Sequence, residues 1–151
     1  MNLLDLYRFA EEKDISVDDF PMHNRSLAVD FGGGEYGIAL NESLLATSPE
    51  KKVALAHELG HCETASFYTL SNPLDLRRRH ECRADRWAMR RLIPREDLEN
   101  AIQSGVREVW DLAEYFGVTD EFMIKTIDYY RQQDLERLSE GFPSPLPGVS
   151  P

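Results

Sequence analysis

The first apolar pattern in the chain is helical. In NLLDLYRFAEE, Leu3, Leu6, Tyr7 and Ala10 fall on one face and the acids lie mostly elsewhere. After a linker the period changes to two. Leu27, Val29 and Phe31 alternate, as do Tyr36, Ile38 and Leu40, with Gly32, Gly33 and Gly34 between the runs. Alternation on both sides of a glycine turn predicts a β-hairpin. Helical spacing then returns. Ser48-Pro49-Glu50 predicts a helix start, with Ser48 as cap, a first-turn proline and an acid at the positive end. Further helices are expected from about Asp75 to Ile93 before Pro94, over REDLENAIQ to Gly105, over VREVWDLAEYF to Gly117, and after Thr119 through DEFMIKTIDYYRQQ. The fold class expected is α+β: one mostly helical domain over residues 1–140 with a small hairpin or sheet. The segment GFPSPLPGVSP, residues 141–151, has eight Pro, Gly or Ser among its eleven residues and is expected to be disordered.

Composition narrows the class. With 151 residues, 42% hydrophobic and 29% charged, the chain can bury a core as an ordinary soluble domain. No apolar run approaches a membrane span, and acids stand near the N-terminus where a secretory signal needs a basic flank. A cytoplasmic protein with no membrane partner is expected. Cys62 and Cys82 belong to no CxxC pair and are expected to be free thiols. Net charge is −10, yet Asp75 to Arg95 holds eight arginines against three acids, or +5, leaving −15 for the rest. So acidic a chain is not expected to bind nucleic acid directly; the arginine stripe reads as a solvated helix face.

The candidate chemistry lies in HELGH. Residues four apart share a helix face, so His57 and His61 can offer two imidazoles to one ion, and Glu58 beside them can take a proton from water held there. Zinc suits imidazole nitrogen, and a catalytic zinc takes three protein ligands and keeps one position open. A metzincin would continue with a glycine and a third histidine, but Thr64 and Phe67 occupy those places. In RRRHECRADRWAMRRLIP, Glu81, Ala84, Asp85, Ala88 and Leu92 form one stripe, with most arginines elsewhere. Acids on an inward stripe need a cation or a hydrogen-bond network. Zinc bound by Glu81 meets that need, and Asp85 is placed to orient a ligating histidine. His80 competes for the third position from about 100° around the helix, and salt bridges to arginines are the alternative for both acids.

HELGH followed by ExxAD and a closing L-I-P resembles the ImmA/IrrE family of zinc metallopeptidases, with a gluzincin-like spacing from His61 to Glu81. The resemblance extends over the hairpin, HELGHCETASFY, HECRADRWAMRRLIP and VWDLAEYFGVTDEFM. It implies a zincin-like fold, His57, His61 and Glu81 as zinc ligands, Glu58 as catalytic base, and Asp85 at a position usually Asp or Asn. It further implies a phage or mobile-element protein that cleaves a helix-turn-helix repressor, an anti-repressor in effect. The long C-terminal extension of members tied to radiation response is missing, so that role is not expected.

Tyr68, Tyr36 and His80 are candidate donors to a tetrahedral oxyanion, which the sequence does not rank. LAEYFGVT also resembles the start of a helix-turn-helix, but its second helix carries Asp120, Glu121 and Asp128 against Lys125 and Arg131, a poor match for phosphates. Packing through Leu112, Phe116, Phe122 and Ile127 is expected instead. The hairpin edge could hold an extended substrate by strand addition. The other class of function is a binding module that sequesters a repressor, with a structural or vestigial zinc site.

Overall fold

A computed structural model describes residues 1–141. Residues 142–151, nearly all of the segment expected to be disordered, lie outside the described residues. Asn2 caps helix α1 (Leu3–Glu12) through a reciprocal bond pair with Asp5, and Leu6 and Ala10 are buried as the periodicity predicts. Three strands follow: β1 (Ser16–Asp19), β2 (Ser26–Gly32) and β3 (Glu35–Leu40). The order is β1-β3-β2, with β2 antiparallel and β1 parallel to β3. The hairpin is as predicted. Strand β1 is an addition, since SVDD has no apolar alternation to announce it.

The facing of β2 differs from a simple reading of its apolar residues. Leu27 and Phe31 point to solvent, 44% and 65% exposed, while Ala28 pairs with buried Ile38 on the inner face. Phe31 lies across Gly37 on the outer face, where an added Cβ would stand 2.7 Å from its ring. Small inward residues, Ser26 and Ala28, let β2 approach the helix beneath it.

That helix is α2 (Ser48–Thr64), which carries HELGH. Its cap is Thr47, one residue before the Ser48 expected. The Thr47 side chain accepts from the Glu50 amide, and Glu50 accepts from the Thr47 amide. Helix α3 (Leu74–Leu92) crosses α2, followed by α4 (Arg95–Gln103), α5 (Val109–Phe116) and α6 (Asp120–Gly141). Gly117 closes α5 in the left-handed conformation at φ 63°. Thr119 bonds the Phe122 amide at the start of α6. Leu112, Phe122 and Met123 are buried, with Phe116 and Ile127 packed against the core as expected. Buried Lys52 of α2 donates to the Phe116 carbonyl at 2.5 Å, and Tyr130 of α6 donates to the Ile93 carbonyl at 2.7 Å. The α5–α6 pair is thereby tied to both site helices. The result is a single α+β domain.

Helices α2 and α3 come into backbone contact at Gly60, where an added Cβ would lie 2.5 Å from the Ala84 carbonyl oxygen and 2.9 Å from its Cα. These are backbone atoms, so relief requires moving a helix. Gly60→Ala gains about 1 kcal/mol of helix propensity but incurs overpacking of about 1–3 kcal/mol. The net expectation is a loss of stability, read by urea denaturation, with weaker metal binding because Glu81 is carried outward on α3. A more stable Gly60→Ala variant would contradict this account of the crossing.

Candidate metal centre

Side chains from two helices meet where α2 and α3 cross. His57 Nε2 lies 3.1 Å from His61 Nε2 and 3.1 Å from Glu81 Oε2; His61 Nε2 lies 3.2 Å from Glu81 Oε1. Ligand atoms about 2.0–2.1 Å from a tetrahedral zinc stand about 3.3 Å apart. The cluster is therefore sized for one small ion, and His57, His61 and Glu81 form a group that could hold a metal.

Hydrogen bonds to the far ring nitrogens fix the direction of the lone pairs. His61 Nδ1 donates to the Ser66 carbonyl at 2.7 Å. That oxygen can only accept, so the Nδ1 carries the proton and Nε2 keeps a lone pair. His57 Nδ1 pairs with Asp85 Oδ1 at 2.8 Å. Three electron-pair donors thus converge, an arrangement that calls for a cation between them. In the metal-free chain a proton serves. Burial opposes charge on His57, but hydrogen bonds to Asp85 and Glu81 outweigh it and raise its pKa to about 10. The bond from His57 holds the Glu81 carboxyl well below the usual carboxylate range, against the effect of its partial burial. Neither Glu81 nor Asp85 forms a salt bridge to an arginine among the described residues; both face histidines.

Ser66 has no signal in the sequence. It reaches His61 because α2 ends abruptly at Ala65, a non-glycine residue in the left-handed conformation at φ 48° and ψ 41°. That conformation costs about 1–2 kcal/mol. It turns the chain back so that fully buried Ser66 donates its amide to the His61 carbonyl and offers its own carbonyl to the His61 ring.

Glu58 is 5% exposed, and its Oε1 accepts a 2.6 Å hydrogen bond from Ser26 Oγ of β2. Ser26 likewise carries no signal in the sequence; it lies 32 positions away. Two hollows of about 520 and 710 Å³ flank the cluster and share Arg25, Ser26, His57 and Glu81, making one cleft across it. Each is within the size range of a ligand pocket. Of the three candidate oxyanion donors, Tyr68 alone lines this cleft. Burial and then the neighbouring Glu81 carboxylate push its pKa up to about 12, so the hydroxyl stays a donor at neutral pH. His80 stacks on Tyr68 at 6.4 Å, and Tyr36 stacks on Phe67 at 5.2 Å. Cys62 is buried, and burial first, then nearby Glu58, pushes its thiol to about 12; Cys82 is exposed. Neither joins the metal cluster.

Residues 7–128 match the Peptidase_M78 family model, described as the IrrE N-terminal-like domain. The chain belongs to this family. No curated protein and no solved structure matches the chain. Membership in Peptidase_M78 gives it a metallopeptidase-type function, and so a protein substrate. The match spans every element carrying the site, from α1 into α6. No helix among the described residues is long and apolar enough to cross a membrane.

Two expectations follow from the hydrogen-bonded histidines. Asp85→Ala should weaken zinc binding by about 10–100-fold, measured by competition with a chromogenic chelator, with the fold intact by circular dichroism. The second concerns pH. A histidine whose pKa is raised on folding stabilises fully below its ordinary value of 6.5, and that stabilisation is lost as pH rises toward 10. The His57 contribution to metal-free Tm should therefore fall from pH 6.5 to 10, read as the difference from His57→Ala. Zinc affinity should rise over the same interval, because the ion displaces the His57 proton. A His57 contribution that grows with pH would refute the protonated metal-free cluster.

Proposed function

We propose that the chain is a zinc-dependent endopeptidase of a phage or integrative element. It acts in the cytoplasm and cuts a helix-turn-helix repressor to lift repression. The observation that carries the reading is the convergence of His57, His61 and Glu81 beside buried Glu58 in a cleft bordered by an open strand edge. A structural metal site has no use for a buried acid next to its ligand or for an approach along a strand.

Zinc held by His57, His61 and Glu81 supplies Lewis acidity, which activates water and polarises a carbonyl. Glu58 takes the proton from the attacking water and passes it to the leaving amide nitrogen. Asp85 and the Ser66 carbonyl keep the two imidazoles in the required tautomer. The Tyr68 hydroxyl donates to the oxygen that gains charge as the tetrahedral centre forms.

Strand β2 supports the substrate backbone. The Leu40 carbonyl accepts from Phe20 on the β1 side, while the Arg25 carbonyl accepts from Asn41. Antiparallel pairing alternates, so Ser26 and Ala28, opposite Leu40 and Ile38, turn their amide and carbonyl groups to the open edge. An extended segment added there lies along the cleft. Nucleic acid is not a direct partner on this reading, since α6 opens with Asp120 and Glu121.

Glu58→Gln keeps the size and hydrogen-bonding capacity of the side chain but cannot accept the proton. Zinc content and repressor binding should persist, while cleavage falls by a factor on the order of 10² or more. The assay co-expresses the chain with the repressor encoded beside it and weighs the intact repressor by mass spectrometry. Equal relief of repression by wild type and Glu58→Gln, with the repressor whole in both, would replace cleavage by sequestration.

A further inference from the structure

We propose that Ser26 is the positioning residue of Glu58 and couples it to the docked substrate strand; this rests on the reading of Glu58 as the base. Ser26 Oγ donates to Glu58 Oε1 at 2.6 Å, and no other hydrogen bond reaches that carboxylate among the described residues. Glu58 is 5% exposed, so solvent does little to orient it. A glutamate has three side-chain torsions, and its terminal one is broad. One short hydrogen bond to a rigid strand removes that freedom, occupying one oxygen and leaving the other for the proton transfer.

The strand bearing Ser26 is the edge described above. Its main-chain groups at this residue face the open side, because its partner Leu40 bonds toward β1 instead. Its side chain points the other way in function, to the base on α2. A peptide bound to the Ser26 main chain is thus held at a fixed offset from the carboxylate that the same residue restrains. Catalytic groups must be placed to within a fraction of an ångström. A residue common to both contacts achieves this without relying on the longer path through β3 and the core.

The test uses the zinc-loaded full chain and acetohydroxamate, which chelates zinc and sets a proton donor against an adjacent carboxylate. Calorimetry gives hydroxamate affinity, and chelator competition gives zinc affinity. Ser26→Ala should leave zinc affinity unchanged while weakening acetohydroxamate about tenfold, the equivalent of one hydrogen bond. Ser26→Thr, which keeps the hydroxyl on a residue suited to strands, should restore binding. Glu58→Gln should also weaken it, and adding Ser26→Ala to Glu58→Gln should cost little more, since one acts through the other.

Wild-type hydroxamate binding by Ser26→Ala, or additive losses in the double variant, overturns the proposal. A drop in zinc affinity in Ser26→Ala that Ser26→Thr does not restore points to a structural role and overturns it as well. Unchanged binding by Glu58→Gln removes Glu58 as the base, a separate failure. A parent that holds zinc but not acetohydroxamate overturns both.

Discussion

The mutual repulsion of three electron-pair donors governs the centre of this protein. His57, His61 and Glu81 bring two imidazole lone pairs and a carboxylate within 3.2 Å of one another. Left bare, that arrangement would push α2 and α3 apart. A positive charge between them relieves it, either a proton on His57, whose pKa the surrounding carboxylates raise, or a metal ion that the three donors could hold. Much of the surrounding structure keeps the donors from escaping. Gly60 allows contact with Ala84 of the opposing backbone, and the left-handed Ala65 aims the Ser66 carbonyl at His61. Each feature is locally unfavourable or demanding, and each is explained by its effect on the cluster.

The same constraint accounts for the two-faced character of α3. Seven of the chain's 17 basic residues are arginines of this helix, yet Glu81 and Asp85 pair with none of them among the described residues. Ala84, Ala88 and Leu92 are buried, so the stripe they share with the acids faces α2 and the histidines. The expectation of a buried acid pair needs adjustment here. Glu81 and Asp85 are 40% and 32% exposed, because they line an open cleft. A fully buried site would satisfy the charges equally well but could not bind a protein segment.

An open strand edge is normally a liability, since unpaired amides and carbonyls recruit other chains. Strand β2 keeps one along the cleft. It ends at a glycine turn, with a register shift between Asp30 and Gly32. These features limit how far pairing could propagate. Apolar Leu27 and Phe31 lie on the outer face of the sheet, away from the side that approaches α2.

What the sequence determined by itself was whatever one element's periodicity fixes. The four-residue spacing of His57 and His61, the adjacency of Glu58, the shared stripe of Glu81 and Asp85, and the hairpin at Gly32–Gly34 all follow from local backbone geometry. Only the tertiary structure decided which surfaces met. Ser26 and Ser66 reach Glu58 and His61 because a strand and a helix end are folded against α2, and neither residue type marks that meeting in advance. The parallel strand β1 exists through pairing with β3, not through its own alternation. Ala28 rather than Leu27 faces inward because α2 leaves room for small residues there, and Tyr68 rather than Tyr36 or His80 lines the cleft because the chain turns at Ala65. Periodicity is a property of neighbours along the chain, whereas partnership depends on the distances that packing sets between segments far apart in sequence.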